Sequence, residues 1–119
     1  MTIFQGLSYL LGLGSKRSRY LVVQEKIDAG IMQFLGGDGS SMDNAILIAG
    51  DIQRGNEGIA AEYIYLSMKL GERDKDWKLS MQSLVCGEDG THYDKMNVED
   101  LKTHTEASYY FNISEFFGK

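Results

Sequence analysis

The chain has 119 residues, with a hydrophobic fraction of 43% and a charged fraction of 24%, which is ordinary for one globular domain and argues against disorder for most of the chain. Its formal net charge is −5, and the acidic excess lies in residues 37–119, where fifteen acidic side chains outnumber eight basic ones. Such an acidic body repels phosphate backbones, so we expect no nucleic-acid partner, whereas it attracts basic proteins. A second interpretation is that the acidic surface serves solubility alone.

The single cysteine, Cys86, excludes an internal disulfide and a metal site built on cysteines. A lone thiol within an apolar run suits a reducing compartment, so a cytoplasmic location is expected. No run approaches the ~20 apolar residues of a membrane-spanning helix. The apolar residues 3–13 have the length of a signal-peptide core, but no positive charge precedes them, and secretion is therefore not expected.

Two helical patterns open the chain. Apolar residues at helical spacing predict an amphipathic first helix, and they are Ile3, Phe4, Leu7, Leu10 and Leu11. A second helix is predicted by the same spacing further along, in Tyr20, Val23, Ile27, Ile31 and Phe34, with Gly30 as a weak point inside it. We expect residues 1–35 to form a helical N-terminal arm.

Residues 36–119 predict an α+β body with the order β-α-β-β-β. A short apolar run at residues 45–48 indicates a strand, and residues 56–70 indicate a helix with Asn56 as its N-cap and Gly71 past its end. The helix stripe is Ile59, Tyr63, Leu66 and Leu70.

Three alternating stretches then predict a meander of strands. A last turn after Ser114 is expected to fold Phe116 and Phe117 back on the core. The expected fold is α+β, with N-terminal helices before a mostly antiparallel sheet that carries one packed helix, in one compact domain overall.

The sequence offers little for catalysis or cofactor binding. The glycine-rich stretch at residues 36–41 lacks the preceding strand, the following helix and the lysine that a phosphate-binding loop needs, so a linker or a tight turn is expected. Only His92 and His104 could act as a base for a nucleophile. We expect no catalytic residue, no metal and no cofactor.

An enzyme remains an alternative, and its first candidate residues are Glu62, Cys86, His92 and Asp94. Cys86 stands six residues before His92, across a predicted hairpin, so the two could approach each other. Glu62 lies in a small-residue stretch of the most regular helix, where a partly buried acid could hold a strand or a partner.

A tyrosine patch is the predicted partner-binding surface. In the last two strands, alternation places Tyr93 and Lys95, and likewise Tyr110 and Asn112, away from the core, because a one-residue shift would expose Met96 and Phe111 instead. The acids expected at the rim are Glu99, Asp100 and Glu106. Tyr65 is also expected to be exposed. The alternative is that the N-terminal helices cover this face and make Tyr93 and Tyr110 core residues.

Several motifs together resemble a family of small bacterial proteins with a variable N-terminal arm and a common body. They are Gly36-Gly37-Asp38-Gly39-Ser40-Ser41-Met42-Asp43-Asn44-Ala45, Gly58-Ile59-Ala60-Ala61-Glu62-Tyr63, Asp76-Trp77, Gln82-Ser83-Leu84, Tyr93-Asp94 and the ending Tyr110-Phe111-Asn112-Ile113-Ser114-Glu115-Phe116-Phe117-Gly118-Lys119. The resemblance covers roughly residues 36–119. It implies no activity and no catalytic residue.

The sequence therefore favours a non-enzymatic protein-binding module, and within that class an immunity-type inhibitor of a basic bacterial toxin. The alternative is a small peripheral membrane or assembly protein that docks through residues 3–11, beside the basic residues Lys16, Arg17 and Arg19. The apolar helix could instead pack on its own domain or on a second copy of the chain.

Overall fold

A computed structural model describes residues 15–119, which form two helices and one five-stranded sheet. The elements in chain order are α1 (Ser15–Asp28), β1 (Met32–Gly36), β2 (Ile46–Gly50), α2 (Gly55–Leu70), β3 (Trp77–Cys86), β4 (His92–Asp100) and β5 (Glu106–Asn112). The strand order in the sheet is β1-β2-β5-β4-β3, and only β2 and β5 run parallel. The predicted α+β class and mostly antiparallel sheet are confirmed. Neither helix of residues 15–119 has the length and apolar character needed to cross a membrane.

The prediction of a second helix that continues to Phe34 is wrong, because α1 ends at Asp28 and β1 follows at once. Gly30 adopts φ +77°, the N–H of Gly30 donates to Ile27 O over 3.0 Å, and the N–H of Ile31 donates to Lys26 O over 3.0 Å. These two hydrogen bonds form a Schellman cap, in which glycine supplies the left-handed residue. The predicted weak point is therefore the helix end. The predicted helix over residues 3–11 lies outside the described residues.

The α2 helix begins one residue before the predicted start and without the predicted cap. Asn56 lies in its first turn, and Arg54 before the helix offers no side-chain cap. Instead, Glu57 Oε1 accepts a hydrogen bond from the Gln53 N–H over 2.9 Å. Glu57 thus reaches back past the N-cap, Arg54, to the residue before it, and this hydrogen bond ties the incoming chain to the first turn of the helix.

The face that α2 buries differs in part from the predicted stripe. Leu66 is fully buried, but Ile59 is 42% exposed, and the helix instead buries Tyr65 together with small residues of its first half. Tyr65 packs edge-on against Phe34 and Phe111, so the prediction that it is exposed is wrong. The end of α2 is as predicted, because Gly71 has φ +104° and its N–H donates to Ser67 O over 3.0 Å.

One face of the sheet and the inner sides of both helices form a single hydrophobic core. The core-facing strand residues Ile46, Ile48, Met96, Val98 and Phe111 are almost completely buried. Val23 of α1 belongs to the same cluster, and α1 packs along α2.

After β5 a short turn folds under the start of α2. The prediction that this turn folds back on the core is confirmed for Phe116 and wrong for Phe117. Phe116 is 4% exposed and lies against Gly58, whereas Phe117 is 47% exposed and stacks on the His92 ring with centroids 3.8 Å apart. The Lys119 Nζ donates to Ile52 O over 3.0 Å, which fixes the end of this turn beside the loop that precedes α2.

Candidate functional site

The open face of the sheet is the face of β4 and β5 opposite the core, formed by Tyr93, Lys95, Tyr110 and Asn112. The strand register joins these residues directly, since Tyr93 lies opposite Asn112 and Lys95 lies opposite Tyr110. All four are partly exposed, and none belongs to the buried core. The alternation predicted for the two strands is therefore confirmed, while a role for this face in binding stays a prediction.

A cleft of about 580 Å³ opens at one end of this face and is called here the tyrosine cleft. Tyr93 and Tyr110 line it, between the Ser40–Asp43 loop and the Gly87–Asp89 hairpin. Tyr93 packs closely against the hairpin, since a Cβ added at Gly87 would lie 3.3 Å from its ring. The cleft is a depression with aromatic side chains and two loop walls.

Three carboxylates give the tyrosine cleft its charge: Asp43 on one wall, and Glu88 and Asp89 on the other. The Asp89 side chain accepts a hydrogen bond from the Thr91 N–H over 3.0 Å, which lowers the pKa of Asp89 and keeps it ionised. The cation on the open face is Lys95, whose Nζ lies 5.6 Å from the Tyr110 ring centroid. The cleft therefore combines excess negative charge with two π-faces.

The predicted rim acids lie far from this cleft. Glu99 follows Tyr93 by six positions along β4, a distance of about 20 Å at the rise of a strand. Glu99 pairs with Lys78 over 3.6 Å and with His104 Nδ1 over 2.9 Å, and these partners lower its pKa, with the hydrogen bond from His104 as the larger cause.

The two other predicted acids also belong to that end of the sheet. Asp100 accepts hydrogen bonds from the Lys102 and Thr103 N–H groups, over 2.8 and 3.1 Å, and so shapes the β4–β5 turn. Glu106 lies opposite Glu99 in the register. The structure thus brings Tyr93 and Tyr110 together but leaves the three predicted acids at the far end, and the cleft acids come from two loops.

The glycine-rich loop forms the other cleft wall and is a strand connection, since β1 and β2 flank it. Its backbone pairs with the sheet: the Tyr110 N–H donates to Gly39 O over 2.8 Å, and the Gly39 N–H donates to Asn44 O over 2.7 Å. Gly39 has φ +83°, and an added Cβ would approach Ile46 Cδ1 to 2.6 Å, so glycine is required there. The expectation that no strand precedes this stretch is wrong, because β1 ends at Gly36, and residues 37–45 form a longer loop between two strands rather than a tight turn.

Known proteins add nothing to this geometry. No family model, curated protein or solved structure matches the chain. The resemblance to a family of small bacterial proteins therefore stays a prediction.

On the core side of the sheet, two acids meet in the interior. Glu62 of α2 is 0% exposed and Asp94 of β4 is 7% exposed. Among the described residues, no N–H or O–H group donates to either oxygen of Glu62, and its polar neighbour is the carboxyl group of Asp94. Two carboxyl groups can share a hydrogen bond only when one of them is protonated. Burial, and then the proximity of Asp94, raise the pKa of Glu62 well above its usual value.

Asp94 also lines a cavity of about 270 Å³ beneath the C-terminal turn, here called the tail cavity. Its other walls are mostly apolar and come from Ile59, Leu84, Ile113, Phe116 and Phe117. Two of the four candidate residues for an enzyme, Glu62 and Asp94, are thus neighbours, and Asp94 faces a cavity.

The other two enzyme candidates lie at the end of the β3–β4 hairpin. Cys86 and His92 are directly opposite in the register, which places them together as the sequence suggested. Cys86 is exposed, however, and the His92 ring is covered on one face by Phe117. Within residues 15–119 no group of three His, Cys, Asp or Glu side chains has the arrangement of a metal site.

Proposed function

We propose that the chain is a non-enzymatic protein-binding module that recognises a basic partner at the tyrosine cleft. The observation that carries the proposal is the convergence of Tyr93, Tyr110 and three carboxylates in one exposed cleft. Arg and Lys side chains bind tyrosine faces through cation–π attraction and carboxylates through charge-assisted hydrogen bonds. Tyrosine is also among the residues that dominate binding energy at protein interfaces.

The surroundings of the cleft support a cationic ligand. Lys95 lies over the Tyr110 ring, so the three carboxylates and the Tyr93 ring are the groups that a cationic ligand would contact first. The buried residues of both helices join the core on the other side of the sheet, which leaves the open face available among the described residues. Because residues 37–119 carry a large acidic excess, long-range attraction would also speed the encounter with a basic protein.

The specific form that we propose is an immunity-type inhibitor of a basic bacterial toxin. An inhibitor of this kind needs no catalytic residue, and an exposed cleft with acidic walls suits it. The membrane-docking alternative depends on residues 3–11, which lie outside the described residues, so it stays a prediction.

A peptide titration tests the site without knowledge of the partner. In amide-detected NMR at low salt, a tetra-arginine peptide should shift the signals of the Ser40–Asp43 loop, the Gly87–Asp89 hairpin, Tyr93 and Tyr110. Added salt should reverse the shifts, since exposed charges are screened beyond ~8–10 Å at physiological ionic strength. Shifts spread evenly over all acidic surfaces would contradict a defined cleft.

A capture experiment then tests the function. Protein partners should be recovered from the source cells at low salt by the unmodified chain but not by a variant with Tyr93→Ala and Glu88→Gln. The matched control carries Tyr63→Ala and Glu25→Gln, which remove a tyrosine and an acid elsewhere, and it should recover the same partner. A partner that both variants retain equally, or whose binding ignores salt, would contradict the proposal.

A further inference from the structure

The carboxyl pair Glu62–Asp94 has no cationic partner, unlike two other acids of the body that are largely shielded from solvent. Glu57 lies 3.1 Å from Lys26 Nζ, and Glu99 has Lys78 and His104 as partners. Neither Glu62 nor Asp94 forms an ion pair with any residue in the described part of the chain. A buried acid without a cationic partner or a donor is costly, unless something else supplies one.

A donor can reach Asp94 from the tail cavity. Glu62 is enclosed in the core, whereas Asp94 lines the cavity and has a small remaining exposure. A ligand in the cavity can therefore reach the Asp94 carboxyl group but not that of Glu62. Lys119 also lines the cavity, but its ammonium group donates to Ile52 O over 3.0 Å.

The remaining walls determine what kind of ligand fits. The aromatic and aliphatic residues of the cavity present hydrocarbon, and its volume of about 270 Å³ lies just below the ~300–1,000 Å³ of ordinary small-molecule sites. A fragment-sized molecule with an apolar body is therefore suited to the space. The acid in the cavity lining, Asp94, favours a positive group, because such a group supplies both an opposite charge and hydrogen-bond donors.

We propose that the tail cavity binds a small organic cation, an ammonium group on a hydrocarbon or aromatic body, with the charged nitrogen on Asp94 and the apolar part against Ile113 and Phe116. The site is on the opposite side of the sheet from the tyrosine cleft, so this ligand is additional to the proposed protein partner.

The probe for this site is 2-phenylethylammonium, with the neutral and nearly isosteric 2-phenylethanol as its comparator. In amide-detected NMR at neutral pH, the ammonium should shift the signals of Asp94, Leu84 and Phe116, and it should bind at least tenfold more tightly than the alcohol. The Asp94→Asn variant should lose at least tenfold in affinity for the ammonium and little for the alcohol.

Two further variants keep the test decisive if Asp94→Asn folds poorly. Leu84→Trp places a large side chain at the cavity wall, and because Leu84 is 58% exposed on an outer strand the fold should survive while ammonium binding is lost. Glu25→Gln removes one acid from α1 and should bind the ammonium as the unmodified chain does. Equal affinity for ammonium and alcohol, no ammonium binding at millimolar concentration, or shifts confined to the tyrosine cleft would each overturn the proposal.

Discussion

Gly58→Ala tests how the C-terminal turn is held on α2, because the substitution should destabilise the protein although alanine is the better helix former. In a helix interior the change from glycine to alanine normally gains ~0.8–1.0 kcal/mol. Here the added Cβ would lie 2.5 Å from three atoms of the Phe116 ring. Carbon atoms pack at ~3.5–4.0 Å, so the ring must move by about 1 Å or leave its site.

The size of the loss follows from these two terms. Overpacking of this kind costs ~1–3 kcal/mol, and complete exposure of the Phe116 side chain would cost a similar ~1.5–3 kcal/mol. After the helix gain is subtracted, Gly58→Ala should lower the free energy of unfolding by about 1 kcal/mol. Urea unfolding followed by the fluorescence of Trp77, the single tryptophan and 1% exposed, would measure it.

A double-mutant cycle identifies the cause. In a Phe116→Ala background the clash is absent, so Gly58→Ala should become stabilising by ~0.5–1 kcal/mol, a reversal of sign. Asn56→Ala, an exposed position in the same helix, serves as the control for helix propensity and should change stability only by a few tenths of a kcal/mol. If Gly58→Ala has the same effect with and without Phe116, the reasoning is refuted.

Three further predictions concern the sheet, the carboxyl pair and the N-terminal residues. Tyr110→Ala should cost well under the ~3–5 kcal/mol expected for Phe111→Ala, its fully buried neighbour on the core face, and equal losses in thermal unfolding would show that the open face is covered. Folding raises the pKa of Glu62, so its contribution to stability is present below the unfolded value near 4.5 and is lost as pH rises through the folded pKa. As pH rises from about 4.5 through the folded pKa, the free energy of unfolding of Glu62→Gln should therefore increase relative to that of the unmodified chain. Parallel pH profiles of the two proteins would contradict this. Deletion of residues 1–14 should lower the melting temperature if they pack on the body, whereas lost liposome binding at an unchanged melting temperature would favour membrane docking.

Local patterns were enough to predict much of the body. The alternation in β4 and β5 assigned Tyr93 and Lys95 to one face and Met96 and Phe111 to the other, because side-chain direction has period two and only one register buries the apolar set. Gly71 likewise marked the end of α2, since a helix end commonly needs a residue with positive φ.

Features that depend on tertiary contacts were not predictable in the same way. Gly30 interrupts an unbroken helical pattern, and the sequence does not say whether a glycine is tolerated or caps the helix; pairing of β1 with β2 decided the outcome. The tyrosine cleft draws its acids from loops far apart in sequence. The contact of Glu62 with Asp94 joins a helix to a strand, and the only local signal was an acid beside small residues.

The parallel pairing of β2 with β5 has a consequence for how the chain folds. It joins Ile46 to Phe111, about 65 residues apart, whereas β1–β2 and the β3–β4–β5 meander are pairings between strands consecutive in sequence. Closing a long loop costs chain entropy, and the contacts that offset this cost form only after the loop has closed. The two local units can therefore form early, and their union at the centre of the sheet is the slow step. Substitutions at Ile46 or Phe111 should then retard refolding, while those within the β3–β4 hairpin should act mainly on the rate of unfolding.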